Sequence, residues 1–115
     1  MILINDREIT IDEIKFTIPY KIEQNKEYVL LEDRIIIVFD IDDGKRKNNL
    51  ACYSLKGELL WTVKTPSKKI DNLNRDYLFV GISIIDDSCR VSDYWGRNFL
   101  VNINTGELSD LIWIR

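Results

Sequence analysis

At 115 residues, 45% hydrophobic and 30% charged, the chain is long enough for one globular domain with a modest core of its own. It contains no histidine, which excludes Ser-His-Asp and Cys-His catalysis and every histidine-bearing zinc site. The net charge of −3 is too small to prescribe a partner, yet it is unevenly spread: residues 1–43 are acidic, 44–69 basic and 70–115 acidic again.

In chain order, Asp6, Arg7 and Glu8 break the amino-terminal segment, which lacks the basic start and apolar run of a secretory leader. No run reaches bilayer-spanning length. Cys52 and Cys89 lie in apolar-alternating stretches and are expected to be reduced, buried thiols in a cytoplasm. Residues 7–18 alternate apolar and polar on each side of Asp12 and Glu13, which predicts a hairpin ended by Pro19. Residues 28–31 and 34–41 form the next pair, turning at Glu32 and Asp33. The unbroken run Ile35, Ile36, Ile37, Val38, Phe39 fits a strand covered on both faces.

The loop DDGKRKNN (42–49) then leads into NLACYSLKGELLWTVK, two strands about a Lys56-Gly57 turn, where glycine supplies a positive φ without steric cost. A polar connector around Pro66 has room for a short helix over 67–73. Residues 77–85 and 89–94 repeat the strand plan, with turns at Asp86-Asp87 and at Trp95-Gly96-Arg97. The hairpin NFLVNINTGELSDLIWI closes the chain.

Two units, 28–64 and 77–115, therefore each end in a Gly-Glu-Leu hairpin and a late tryptophan. They resemble blades of quinoprotein-type and WD-type β-propellers, but two units fall short of a closed ring. The expectation is one all-β domain over 1–115 in which the two meanders pack as a small sandwich or half-open barrel. The hairpin 7–18 would cover an exposed edge. The expected core is Ile36, Val38, Leu50, Leu60, Trp61, Leu78, Val80, Ile84, Val91, Leu100, Val101, Ile103 and Ile112. The two closing hairpins align only with a one-residue shift at the turn, and such a slip changes which residues face inward.

Motifs for chemistry are absent. No phosphate-binding or dinucleotide glycine pattern occurs. Asp40, Asp42 and Asp43 depart from a calcium loop: the glycine falls fifth from Asp40 rather than sixth, and Ala51 stands where the closing acid belongs. They read as turn acids, as do Asp86 and Asp87. The runs Lys45-Arg46-Lys47 and Lys68-Lys69 have no interleaved aromatic and sit in an acidic chain, unlike a nucleic-acid-binding face. No catalytic residue, metal site or cofactor is expected, nor direct contact with nucleic acid or membrane. The segment SDYWGRN (92–98) instead gathers Asp93, Tyr94, Trp95 and Arg97 on a Gly96 bend. Tyr, Trp and Arg dominate protein-interface hot spots; the alternative is that Trp95 tucks into the core.

The C-terminal half, YLFVGISIIDDSCRVSDYWGRNFLVNINTGELSDLIWI, taken with the chain's size, acidity and lack of histidine, resembles the small cytosolic immunity proteins of bacterial polymorphic-toxin systems, including contact-dependent growth inhibition. The resemblance implies a non-catalytic protein that binds one cognate toxin domain and covers its active site; it transfers no individual residue. Many such toxins are nucleases with basic, phosphate-binding sites, and an acidic face meeting one steers the encounter. The toxin-facing candidates are Asp40, Asp42, Asp43, Asp86, Asp87 and Asp93, with Tyr94, Trp95 and Arg97 as anchors; further turn acids lie at Asp12-Glu13 and Glu32-Asp33. Two other readings remain open: a propeller-like interaction module working by strand pairing or self-assembly, and a carbohydrate- or small-ligand-binding sandwich if Tyr94 and Trp95 are exposed.

Overall fold

The computed structural model describes residues 1–23, 27–65 and 76–112, with side chains through residue 109, and every regular element among them is a β-strand. The anticipated helix over 67–73, Trp113 and the side chain of Ile112 lie outside the described residues. Three antiparallel sheets are built in chain order. The first holds β1 (Ile2–Asn5), β2 (Glu8–Ile11) and β3 (Ile14–Thr17). The second holds β4 (Tyr28–Leu30), β5 (Arg34–Val38), β6 (Leu50–Ser54) and β7 (Leu59–Thr62). The third holds β8 (Phe79–Ile85), β9 (Ser88–Asp93), β10 (Asn98–Val101) and β11 (Leu108–Ile112). The architecture is all-β and sandwich-like, and the two repeat units are the second and third sheets.

The second sheet lies between the other two because β5 is apolar on both of its faces. Ile35, Ile36, Ile37 and Val38 are all fully buried. Ile35 and Ile37 pack with Ile9, Ile11 and Ile18 from the amino-terminal segment. Ile36 and Val38 face the opposite way, into a core shared with Phe79, Val91 and Phe99 of the third sheet. Two facts differ from the expectation for residues 7–18. The hairpin gains β1, joined through Asp6 in a left-handed conformation (φ 61°), and the resulting sheet covers a face rather than an edge. Phe16 secures that face: its ring stands 2.6 Å from where a Cβ on Gly57 would lie, so only glycine permits the approach.

Alternation also corrects the expected core. Leu60 precedes Trp61, and a pleat sends the two to opposite faces; at β7 only the face carrying Trp61 is covered, so Trp61 is 5% exposed and Leu60 44%. Ile84 lies near the end of β8, beyond the packed region, and is 41% exposed. Leu100 is half-buried because its neighbours Phe99 and Val101 take the inward positions, while Val80 sits at a bulge in β8. The largest fully buried side chains include Tyr77, Phe79 and Phe99, whose rings meet edge-on or stacked at 5.6–6.5 Å.

Among the polar contacts that join the two repeat units, two involve side chains in the shared core. The indole Nε1 of Trp61 donates to the Ile103 carbonyl at 2.9 Å. Buried Asn49 donates through Nδ2 to the Phe39 and Phe79 carbonyls and accepts through Oδ1 from the Phe79 amide at 2.8 Å. Every polar atom of that amide which points inward thus has a partner, as burial requires.

Candidate functional site

At one end of the second and third sheets, two loops distant in sequence come together. The first, residues 40–46, leaves β5. Asp40 Oδ1 accepts from the Asp42 amide at 2.7 Å, the Arg46 amide bonds back to the Ile41 carbonyl, and Asp42 and Asp43 hold φ of 52° and 55°. Aspartate tolerates this left-handed region better than most residues, which is why a tight acidic loop can form here with only one glycine. The second loop, residues 93–97, joins β9 to β10. Asp93 Oδ1 accepts from the amides of Trp95 and Arg97, and its Oδ2 accepts from Arg97 Nε at 2.6 Å. Arg97 also donates to the Asp76 carbonyl and lies over the rings of Tyr77, Trp95 and Phe99 at 5.2–5.5 Å. The Tyr94 amide donates to the Leu78 carbonyl, which fixes this loop onto the start of β8.

Asp93 and Arg97 are therefore buried, at 3% and 5% exposure, and act as the loop's foundation rather than as surface anchors. Above them Tyr94 and Trp95 stand 63% and 38% exposed, with ring centroids 5.6 Å apart and planes at 85°. Of the two readings of Trp95, the exposed one is what the structure contains. Between the loops lies an open cleft of about 410 Å³, lined by Ile41, Asp43, Gly44, Leu78, Tyr94 and Trp95. A neighbouring depression of about 320 Å³ adds Glu23, Asp40 and Val80. A third, of about 390 Å³, continues across Asp40 and Asp42 to Arg7, Tyr20 and Arg46.

The candidates thus divide. Asp40, Asp42, Asp43, Tyr94 and Trp95 share one surface, and Asp93 and Arg97 support it. Asp86 and Asp87, with φ of 50° and 62°, form the β8–β9 turn at the far end of β9, roughly 17 Å away at the usual rise per residue. The basic run does not oppose the acids as a block. Arg46 lies over the Tyr20 ring at 4.0 Å and donates to the Asp40 carbonyl, while Lys47 pairs with Asp76 at 3.9 Å. Leu78 and Ile41 were legible only as core or strand-end residues; no local signal marks them as cleft walls.

Both cysteines are free and buried, and burial pushes each thiol up to about 11, so neither offers a thiolate at neutral pH. Among the described residues, no three of His, Cys, Asp and Glu are placed to hold a metal, and no helix is long and apolar enough to cross a membrane. A family model described as a domain of unknown function, DUF7957, matches residues 1–112. No curated protein matches the chain.

Proposed function

The chain belongs to the DUF7957 domain family, and we propose that it is an immunity protein, one that binds a cognate bacterial toxin domain and covers its active site in the cytoplasm. The observation that supports this most is the surface just described. An exposed tyrosine–tryptophan pair beside an acidic loop combines hot-spot side chains with charge suited to a basic groove. The buried Asp93–Arg97 pair keeps that surface preorganised, which lowers the ordering cost of binding. A nuclease-type toxin, with a basic phosphate-binding site, is the partner whose charge fits best.

Co-expression tests the reading. Cells producing the toxin domain encoded beside this chain's gene should survive when the chain is present. Tyr94→Ala should weaken the complex by about thirtyfold, as loss of one hot-spot residue does. Cell death despite abundant folded chain would contradict the proposal.

A second reading, self-assembly of a blade-like module, has one specific support. β7 ends the second sheet, and on it Leu59 and Leu60 stand 57% and 44% exposed, an apolar edge of the kind that pairs with another chain. Light scattering separates the readings: a discrete oligomer favours assembly, and a monomer removes it.

A further inference from the structure

The cleft between the two loops has a composition more specific than an acidic patch. One wall is the Tyr94–Trp95 pair, the floor is Ile41 and Leu78, and the rim carries the Asp43 carboxylate. Among the described residues Asp43 makes no ion pair or side-chain hydrogen bond, and none of the neighbouring bases neutralises it. Arg97 reaches Trp95 from the protein side with its charge matched by Asp93, Arg46 is held on Tyr20, and Lys47 is directed to Asp76. At about 410 Å³ the cleft sits near the lower limit of ligand pockets, roughly 300–1,000 Å³, which is room for a side chain or two rather than a cofactor.

Aromatic faces attract cations, and they do so more strongly when the cation is partly desolvated. A carboxylate at the rim adds a charge-assisted acceptor. Arginine satisfies both, because its planar guanidinium stacks on a ring while its N–H groups remain free to reach an acid. We infer that this cleft receives an arginine side chain presented by the protein partner, lying on the tyrosine–tryptophan pair and against Asp43. The inference rests on the partner being a protein with a basic surface, as the immunity reading has it, and it specifies which contact supplies the anchor.

The test uses the whole chain, isotope-labelled, titrated with the peptide (Gly-Arg)3 and with its citrulline counterpart, which keeps the shape and loses the charge. Amide shifts should concentrate at residues 41–44, 78 and 94–95, and the citrulline peptide should leave them unmoved. Asp43→Asn removes the charge while retaining a residue that accepts φ of 55°. It should weaken the arginine peptide about three- to tenfold, and Tyr94→Leu should do the same. Shifts spread evenly over all acidic turns, centred on Asp86 and Asp87, or absent would each overturn the assignment, as would unaltered affinity in both variants. A chain that neutralises a toxin yet ignores the arginine peptide keeps the immunity reading and loses this site. One that binds the peptide at the cleft but protects against no toxin does the reverse.

Discussion

Asn49 and the Asp93–Arg97 pair show how single residues decide which surfaces this chain can present. Asn49→Ala would strand the Phe79 amide and two carbonyls in the seam between sheets. It should destabilise the protein by about 2–4 kcal/mol in a denaturant titration, from the cost of unsatisfied buried groups. Arg97→Met should cost about 3–5 kcal/mol because it leaves the Asp93 carboxylate buried and uncompensated. Adding Asp93→Asn to it should recover much of that loss, and a purely additive double variant would contradict the coupling. The thiols give a pH signature. Below the ordinary thiol value of 9.0 both states hold their protons, so the buried cysteines add no slope. Between 9.0 and about 11 the unfolded thiols ionise while the folded ones do not, so stability falls as pH rises. Burial raises Tyr53 in the same direction. Replacing both cysteines by alanine should flatten this alkaline limb; an unchanged slope would show that the thiols are not its source.

Turns are the element-scale device of this fold. Each of the two-residue hairpins at Asp6, Asp12 and Asp86 places aspartate at φ between 50° and 62°, where asparagine-glycine would be the familiar sequence. Longer loops share another scheme: Ser54 in SLKGE and Asp93 in DYWGR both accept from following amides through their side chains, with Gly57 and Gly96 at positive φ. The one-residue mismatch between the two closing hairpins has a plain origin. The Ser54 amide bonds the Glu58 carbonyl, whereas the Asn102 amide bonds the Glu107 carbonyl, so the second loop is one residue longer. Gly106 adds a packing demand, since a Cβ there would stand 2.5 Å from the Trp61 ring in addition to φ of 80°. Gly106→Ala should therefore destabilise by about 1–3 kcal/mol, read as a shift in denaturant midpoint.

Much of this level was legible in the sequence. Period-two alternation located the strands, the IIIVF run disclosed the doubly covered β5, and Gly-Glu-Leu marked both closing hairpins. The strand β1 was missed because an Asp-Arg turn lacks a glycine signature. Leu60 and Ile84 were assigned inward on hydrophobicity alone, although side-chain direction depends on register, which a bulge between Cys52 and Tyr53 also shifts. The site was half legible for a similar reason. The residue types in SDYWGRN left an interface turn and a core-packed Trp95 equally open; only packing of the two repeat units shows that residues 40–44 lie beside this turn, that Asp86 and Asp87 lie at the far end of β9, and that Arg97 faces inward.

At the scale of the molecule, three stacked sheets leave their outer faces, where polar residues mix with exposed Leu3, Leu59 and Leu60, and their loop ends as what a partner can meet. The first sheet turns Thr10, Lys15 and Glu8 outward and is laced by exposed ion pairs such as Lys15–Glu8 at 3.7 Å and Lys21–Asp6 at 3.6 Å, of small energetic weight. Under the proposed function, the charge that would steer association lies at the shared end of the second and third sheets. Long-range attraction acts on the association rate and fades with salt, so location can be read from kinetics. The most direct measurement is stopped-flow association of the chain with the proposed toxin partner at low and physiological salt. Asp42→Asn with Asp43→Asn should slow association and flatten its salt dependence, while Asp86→Asn with Asp87→Asn should leave both unchanged. Unaltered kinetics in the first pair, or slowing in the second alone, would contradict the placement of function at this end of the fold.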